Sequence, residues 1–350
     1  MDSITHIVLG ACIGEVCVGK AIGKRALVLG AVAQSLPDID IVAGLWLSPV
    51  RDLLAHRGFT HSLLFALLGS VLLALIAERW HRYRYPTLSL KMWTIFFSLE
   101  ILTHIFLDAF NAYGTGWFEP FSHHRVAFNT LFVADPLFTI WPALSVALLV
   151  VLPATSQRRW RWATAGLVLS IIYMASSITN KAIIRQKAVS DLRKQSISYT
   201  RLFITPTPFN TLLWYIVAES DSGYHIGHRS VFDSQTIPFH YVPHHRELLN
   251  NVDSTDALSY LKRFSEGYYV ISHYRERLVF NDLRFGQMAG WQNPNAPFVF
   301  YYYLDNPKEN TLLIQRGRFA GWDLNTVRYF LMRMIGKTNE ITSPSVESGN

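Results

Sequence analysis

The chain has 350 residues; half are hydrophobic and only 16% are charged, against about 25% charged in ordinary soluble domains. The formal net charge is +7, yet Lys and Arg fall in short clusters between apolar runs, and no basic stripe interleaved with aromatics appears. That pattern fits membrane topology and excludes a nucleic-acid partner. Cys12 and Cys17 are too few for a disulfide framework and lack metal-ribbon or CxxC spacing.

A bilayer core of about 30 Å needs about 20 helical residues. Residues 4–19 and 26–36 are apolar but short, and can be tilted spans or a hairpin packed inside a bundle. Residues 62–77, 92–110, 131–152 and 162–178 read as spans, the fifth segment carrying Pro136 and Pro142 near its start. The first segment starts with Asp2 and His6 and has no basic run before it, so it is expected to stay in the mature protein. Residues 181–197 read as a polar helix leaving the membrane. Farther on, 268–272, 277–280 and 298–304 are β-branched and aromatic, which predicts strands. Pro206, Pro208, Pro238 and Pro243 punctuate the stretch before them, and 323–335 reads as a helix. The expected architecture is an α-helical polytopic membrane bundle of about six segments over 1–180. An extramembrane α+β domain over 181–340 and a disordered tail over 341–350 follow.

Positive charge predicts the orientation. Alternate loops hold Lys20, Lys24 and Arg25, then Arg79, Arg82, Arg84 and Lys91, then Arg158, Arg159 and Arg161. The opposite loops hold only Arg51, Arg57 and Arg125. The basic loops are therefore expected in the cytoplasm of a bacterial inner-membrane, multi-pass protein, with the C-terminal domain on the outer side.

On that topology the histidines and aspartates converge. His6 opens segment one, Asp38 and Asp40 close segment two, His56 and His61 enter segment three, and His104 and Asp108 lie in the outer half of segment four. All come to the outer face on a topology that rests on Lys and Arg alone. His104 and Asp108 are four apart and share a helix face, with Glu100 a turn earlier. Ionisable groups on a spanning helix must face the interior of the bundle. Pro37 suggests an extended turn presenting Asp38 and Asp40 together, Gly58 a tight backbone, and Thr60 or Ser62 a helix cap. The C-terminal histidines and the pair His123–His124 read as exposed or structural, with His123 or His124, on an outer loop, a further candidate for an extra ligand or a proton shuttle.

Imidazole plus carboxylate is a ligand set for zinc, manganese or non-haem iron. The expected metal ligands are His6, Asp38, Asp40, His56, His61, His104 and Asp108, holding one or two divalent ions, zinc or manganese. Arg57 and Glu100 are the expected catalytic side chains, with Arg57 placed to hold a phosphate oxygen. Two other readings stay open. Glu100, His104 and Asp108 also suit a proton or cation path, and a non-catalytic membrane protein with a partner-binding C-terminal domain needs no metal.

The Thr5-His6 pair, Pro37-Asp38-Ile39-Asp40, the run His56-Arg57-Gly58-Phe59-Thr60-His61-Ser62, and His104 with Asp108 together carry a family likeness. On these motifs the sequence resembles the YdjM-like family of predicted membrane-bound metal-dependent hydrolases. The resemblance implies a metal and a hydrolysis. A site at the ends of spanning helices suits a membrane lipid or lipid-linked substrate.

Overall fold

The structure is a computed structural model that describes residues 1–81, 83–251, 256–274, 276–305, 310 and 322–337. Arg82 and the tail expected at 341–350 lie outside them. The chain divides into two compact units, one of residues 1–179 with 208–210, the other of 180–207 with 211–350.

The first unit begins with α1 (Ser3–Ile22), whose N-terminus is capped by Asp2 accepting from the Thr5 amide. α2 (Arg25–Gln34) folds back on it. Gly10 and Gly30 meet backbone to backbone, and a Cβ on either would overlap the other's carbonyl. Small residues let membrane helices approach this closely. Pro37 lacks an N–H and cannot extend the α-helical ladder; the chain bends by 50° into a 3-10 helix, Leu36–Leu45. α3 (Pro49–Ala55) and a 3-10 turn (Phe59–His61) lead into α4 (Leu63–His81), and α5 (Leu90–Asp108) packs against it.

α6 (Pro136–Val151) starts later than the sequence segment at 131, because Asp135 caps it and Pro136 takes the first helical position. α7 (Arg158–Lys194) has 37 residues and is one helix where the sequence suggested a span and a separate polar helix.

Among the described residues, four helices are long and apolar enough to cross a membrane: α1, α4, α5 and α7. The count is five if α2 and the bent 3-10 helix form one span. The expected six is thus four or five by length. α6 has only 16 residues, about 24 Å of helix against a core of about 30 Å.

Among its described residues the second unit holds two antiparallel sheets. β1 (Arg201–Pro206), β2 (Leu213–Glu219), β3 (Gly223–Ser230) and β4 (His240–Pro243) pair in that order. Ile184 and Ala188 of α7 pack on Ile204, Trp214 and Ile216 of this sheet. The second sheet is β5 (Tyr269–Tyr274), β6 (Arg277–Gln287) and β7 (Phe298–Tyr303), the strands expected from the sequence. The first sheet was hidden by its prolines: Pro206 ends β1 and Pro243 ends β4, both edge strands, where proline is tolerated. α8 (Asp256–Phe264) and α9 (Leu324–Met334) also belong to this unit.

Buried Arg333 of α9 forms a two-pronged ion pair with Asp233, both contacts at 2.7 Å. Arg333→Ala leaves that carboxylate uncompensated and is expected to cost about 3 kcal/mol. Limited proteolysis should then cut α9 before the sheets; unchanged protection would show that the pair contributes little.

Candidate metal centre

Each site residue is placed by a local rule. His6 lies in the first turns of α1, and His104 and Asp108 lie one turn apart at the end of α5. His56 closes α3. Arg57 then takes a left-handed φ of 61°, and a Cβ on Gly58 would lie 2.9 Å from the Ala55 carbonyl. The reversal turns His61 inward, and Ser62 caps α4 by accepting from the Phe65 amide at 3.0 Å. Thr60, the other cap candidate, instead donates to Asp40 Oδ2 at 2.6 Å.

Asp38, His61, His104 and Asp108 each offer one ligand atom, and these atoms all lie within 4.8 Å of one another. His61 Nε2 and His104 Nε2 are 3.1 Å apart. Asp38 Oδ1 is 3.5 Å from the first and 3.4 Å from the second. Asp108 Oδ2 is 3.5 and 3.8 Å from the same two nitrogens.

The outer ring nitrogens explain why the inner ones are bare. His104 Nδ1 lies 2.5 Å from the Gln34 main-chain oxygen, which can only accept. The proton therefore sits on Nδ1 and the Nε2 lone pair points inward. His61 Nδ1 faces Thr60 Oγ1 at 3.1 Å and Asp40 Oδ2 at 3.2 Å. The Thr60 hydrogen is already given to Asp40, so His61 Nδ1 also carries its proton. Two imidazole Nε2 atoms and two carboxylates then converge on one spot. Arg57 Nε, 3.0 Å from Asp108 Oδ2, and the Met1 amino group at Asp108 Oδ1 face one of the two carboxylates, and a divalent cation would draw the remaining lone pairs together.

Size agrees with charge. A tetrahedral ion with N and O ligands at about 2.0–2.2 Å sets neighbouring ligand atoms about 3.4 Å apart. The residues present therefore fit a divalent metal held by Asp38, His61, His104 and Asp108. Outer-nitrogen bonds to a carbonyl and a carboxylate are how ligand histidines are commonly oriented.

The other expected residues surround this group. In the 3-10 geometry, which replaces the expected extended turn, Asp38 and Asp40 take different partners. Asp40 Oδ1 meets His56 Nδ1 at 2.8 Å, and Oδ2 accepts from the Arg57 amide at 2.9 Å as well as from Thr60. Asp38, Asp40 and His56 form a second possible ligand group, but protein donors already occupy both Asp40 oxygens. His6 stacks on His104 with ring centroids 3.8 Å apart and places Nε2 3.2 Å from Asp108 Oδ1. The Met1 amino nitrogen also lies against Asp108 Oδ1.

Arg57 is 4% exposed. Its Nε is 3.0 Å from Asp108 Oδ2 and its Nη1 donates to Asn111 Oδ1 at 2.9 Å. In this arrangement it holds Asp108 and does not present a free fork to solvent. Burial lowers its pKa, and the charges of Asp38, Tyr113 and Asp40 oppose that shift. Glu100 does not join either ligand group. It is buried a turn below, where the Gln34 side-chain amide, turned about its last bond, donates to Glu100 Oε2 at 2.8 Å. His123 pairs with Glu119 at 2.8 Å, away from the ligand groups.

Sequence reasoning missed Gln34, Asn111 and the role of Arg125. The Arg125 guanidinium donates to the carbonyls of Tyr113, Leu54, His56 and Gly114 at 3.1–3.4 Å. It clasps the His56 turn to the 113–126 loop. Arg125→Ala is expected to destabilise the protein by about 1–3 kcal/mol through unmet buried carbonyls. A thermal midpoint equal to wild type would refute the clasp.

A profile of the family described as YdjM inner membrane protein matches residues 1–184. The chain is 28% identical over 181 residues to inner membrane protein YbcI of Escherichia coli (strain K12), covering 49% of this chain and 95% of that protein. It is 34% identical over 158 residues to the uncharacterized protein YfhP of Bacillus subtilis (strain 168), covering 42% of this chain and 46% of that protein. The match thus takes in less than half of the length of YfhP. No solved structure matches the chain.

Proposed function

Because the chain belongs to the YdjM inner membrane protein family, we propose that it is a membrane-bound, metal-dependent hydrolase acting on a lipid-linked or phosphate-containing substrate at the outer membrane face. One observation carries this reading: four buried or half-buried ligand atoms, from Asp38, His61, His104 and Asp108, converge within 4.8 Å of one another. Two imidazoles with two carboxylates suit zinc or manganese.

When bound, a divalent ion supplies a water of lowered pKa and polarises a phosphoryl or carbonyl oxygen. The chain's own residues do the rest. The Gln34 carbonyl and Asp40 hold the two ligand imidazoles in the tautomer that points Nε2 inward. Arg57 holds Asp108 through Nε, and Asn111 fixes Arg57 by accepting from its Nη1. His6, stacked on His104, has a buried Nδ1 with no hydrogen-bond partner among the described residues. The basic-loop pattern supports the outer placement of the site and of the C-terminal domain.

A proton or cation path needs polar groups through the whole bilayer. Glu15, the acid at the opposite depth, is held by Arg159 at 2.8 and 2.5 Å. A carboxylate paired this way is a poor relay, so the hydrolase reading is preferred. Elemental analysis of protein purified without chelator tests it. About one equivalent of zinc or manganese per chain is expected from a single four-ligand group. Protein that stays metal-free after incubation with both ions would sink the proposal.

A further inference from the structure

α2 and α6 both pack on α1, and the gap between them is an open groove of about 840 Å³. Its floor is Ile7 and Ala11 of α1, and its walls include Ala31 and Val32 of α2 and Val146 and Val150 of α6. The lining is apolar except at its ends, where Lys24 stands at one and Ser35 and Asp38 at the other. Asp38 is the link, because it lines the groove and belongs to the four-residue ligand group.

We propose that this groove binds one hydrocarbon chain of a membrane lipid whose polar head lies at Asp38, so that the substrate is a chain-bearing lipid presented from within the bilayer. The inference rests on the metal-centre reading for the head and on the groove itself for the chain. Three features favour this occupant. The ten residues of α2 give about 15 Å of wall, half of a hydrocarbon core of about 30 Å and so the depth of one leaflet. The groove opens sideways, since Val28 and Val32 on its rim are exposed on the flank of a membrane helix. Apolar contact alone does not draw a chain out of lipid, because lipid tails are equally apolar. Selective occupancy therefore needs an anchor for the head, and the donor cluster at Asp38 is the polar group at the groove's mouth.

The test separates a bound chain from general lipid contact. The metal-loaded full chain is reconstituted into vesicles of phosphatidylethanolamine and phosphatidylglycerol carrying a trace of phosphatidylglycerol with a diazirine in its acyl chain. After illumination, adducts are mapped by peptide mass spectrometry. Val32 is 60% exposed and Leu72 of α4 is 59% exposed, so bulk lipid should label the two helices equally. The expected result is labelling of the α2 and α6 walls severalfold above α4. Ala31→Trp, which fills the groove without touching a metal ligand, should abolish the excess and leave α4 labelling unchanged. Val146→Trp narrows it from the other wall and covers the case in which the first variant misfolds. Equal labelling of α2 and α4 in wild type, or an excess that survives both folded variants, overturns the proposal. Metal content of the same samples is read in parallel. Metal with uniform labelling overturns the groove alone, whereas a groove excess in protein that takes up no metal supports the groove and overturns the centre.

Discussion

His104→Ala is expected to lose its metal on purification, with apparent affinity reduced by more than the ~10–100-fold that follows loss of an outer-sphere partner. The reason is geometric. His104 Nε2 stands 3.1 Å from His61 Nε2 and 3.4 Å from Asp38 Oδ1, and alanine removes a ligand that no neighbouring side chain replaces. Thr60→Ala frees His61 to turn and should fall within that ~10–100-fold window. Glu100→Gln should keep its metal, because Glu100 approaches the centre only through Gln34. Metal titration of the three purified variants checks the ordering. If His104→Ala and Glu100→Gln retain equal metal, the four-residue group is not the binding site.

Arg159→Ala is expected to lower stability at the upper end of ~3–5 kcal/mol, the range for breaking a buried pair. Arg159 is 2% exposed and Glu15 5%. The guanidinium also donates to the carbonyls of Leu149 and Leu152 at 2.5 and 3.2 Å. Removing it strands an acid and two carbonyls where lipid offers no water to replace the lost bonds. Glu15→Gln should cost less, since the amide still accepts from the guanidinium. Replacing both with apolar residues of similar volume should recover much of the loss. Unfolding in mixed micelles, followed by circular dichroism, gives the comparison. A double variant no more stable than Arg159→Ala would mean that the pair does more than neutralise itself. The same pair explains why Arg159, which the sequence treats as a loop charge setting topology, is a bundle residue.

Much of the candidate site was legible because ionisable groups in apolar segments are expensive and must converge. Asp38, His61, His104 and Asp108 stood out for that reason, and the structure brings them within 4.8 Å. The division of labour was not legible. Asp38 and Asp40 look equivalent in Pro37-Asp38-Ile39-Asp40, but the 3-10 helix gives them different partners, Asp38 facing His61 and His104 and Asp40 the His56–Thr60 turn. Arg57 looked like a free anion clamp, yet folding sets it against Asp108 and Asn111. Gln34 takes part through its main-chain oxygen, which no side-chain motif can announce.

The sequence by itself determined an apolar first half with its His/Asp cluster and a polar second half, because hydropathy and the cost of buried charge act through residue type alone. Tertiary structure decided the rest. It decided which donors share one point, and which only orient others. It also decided that 201–243 forms a sheet despite its prolines, since edge position, not composition, makes them tolerable. Those outcomes depend on which groups meet across distant segments, such as Gln34 with His104, and only packing settles that.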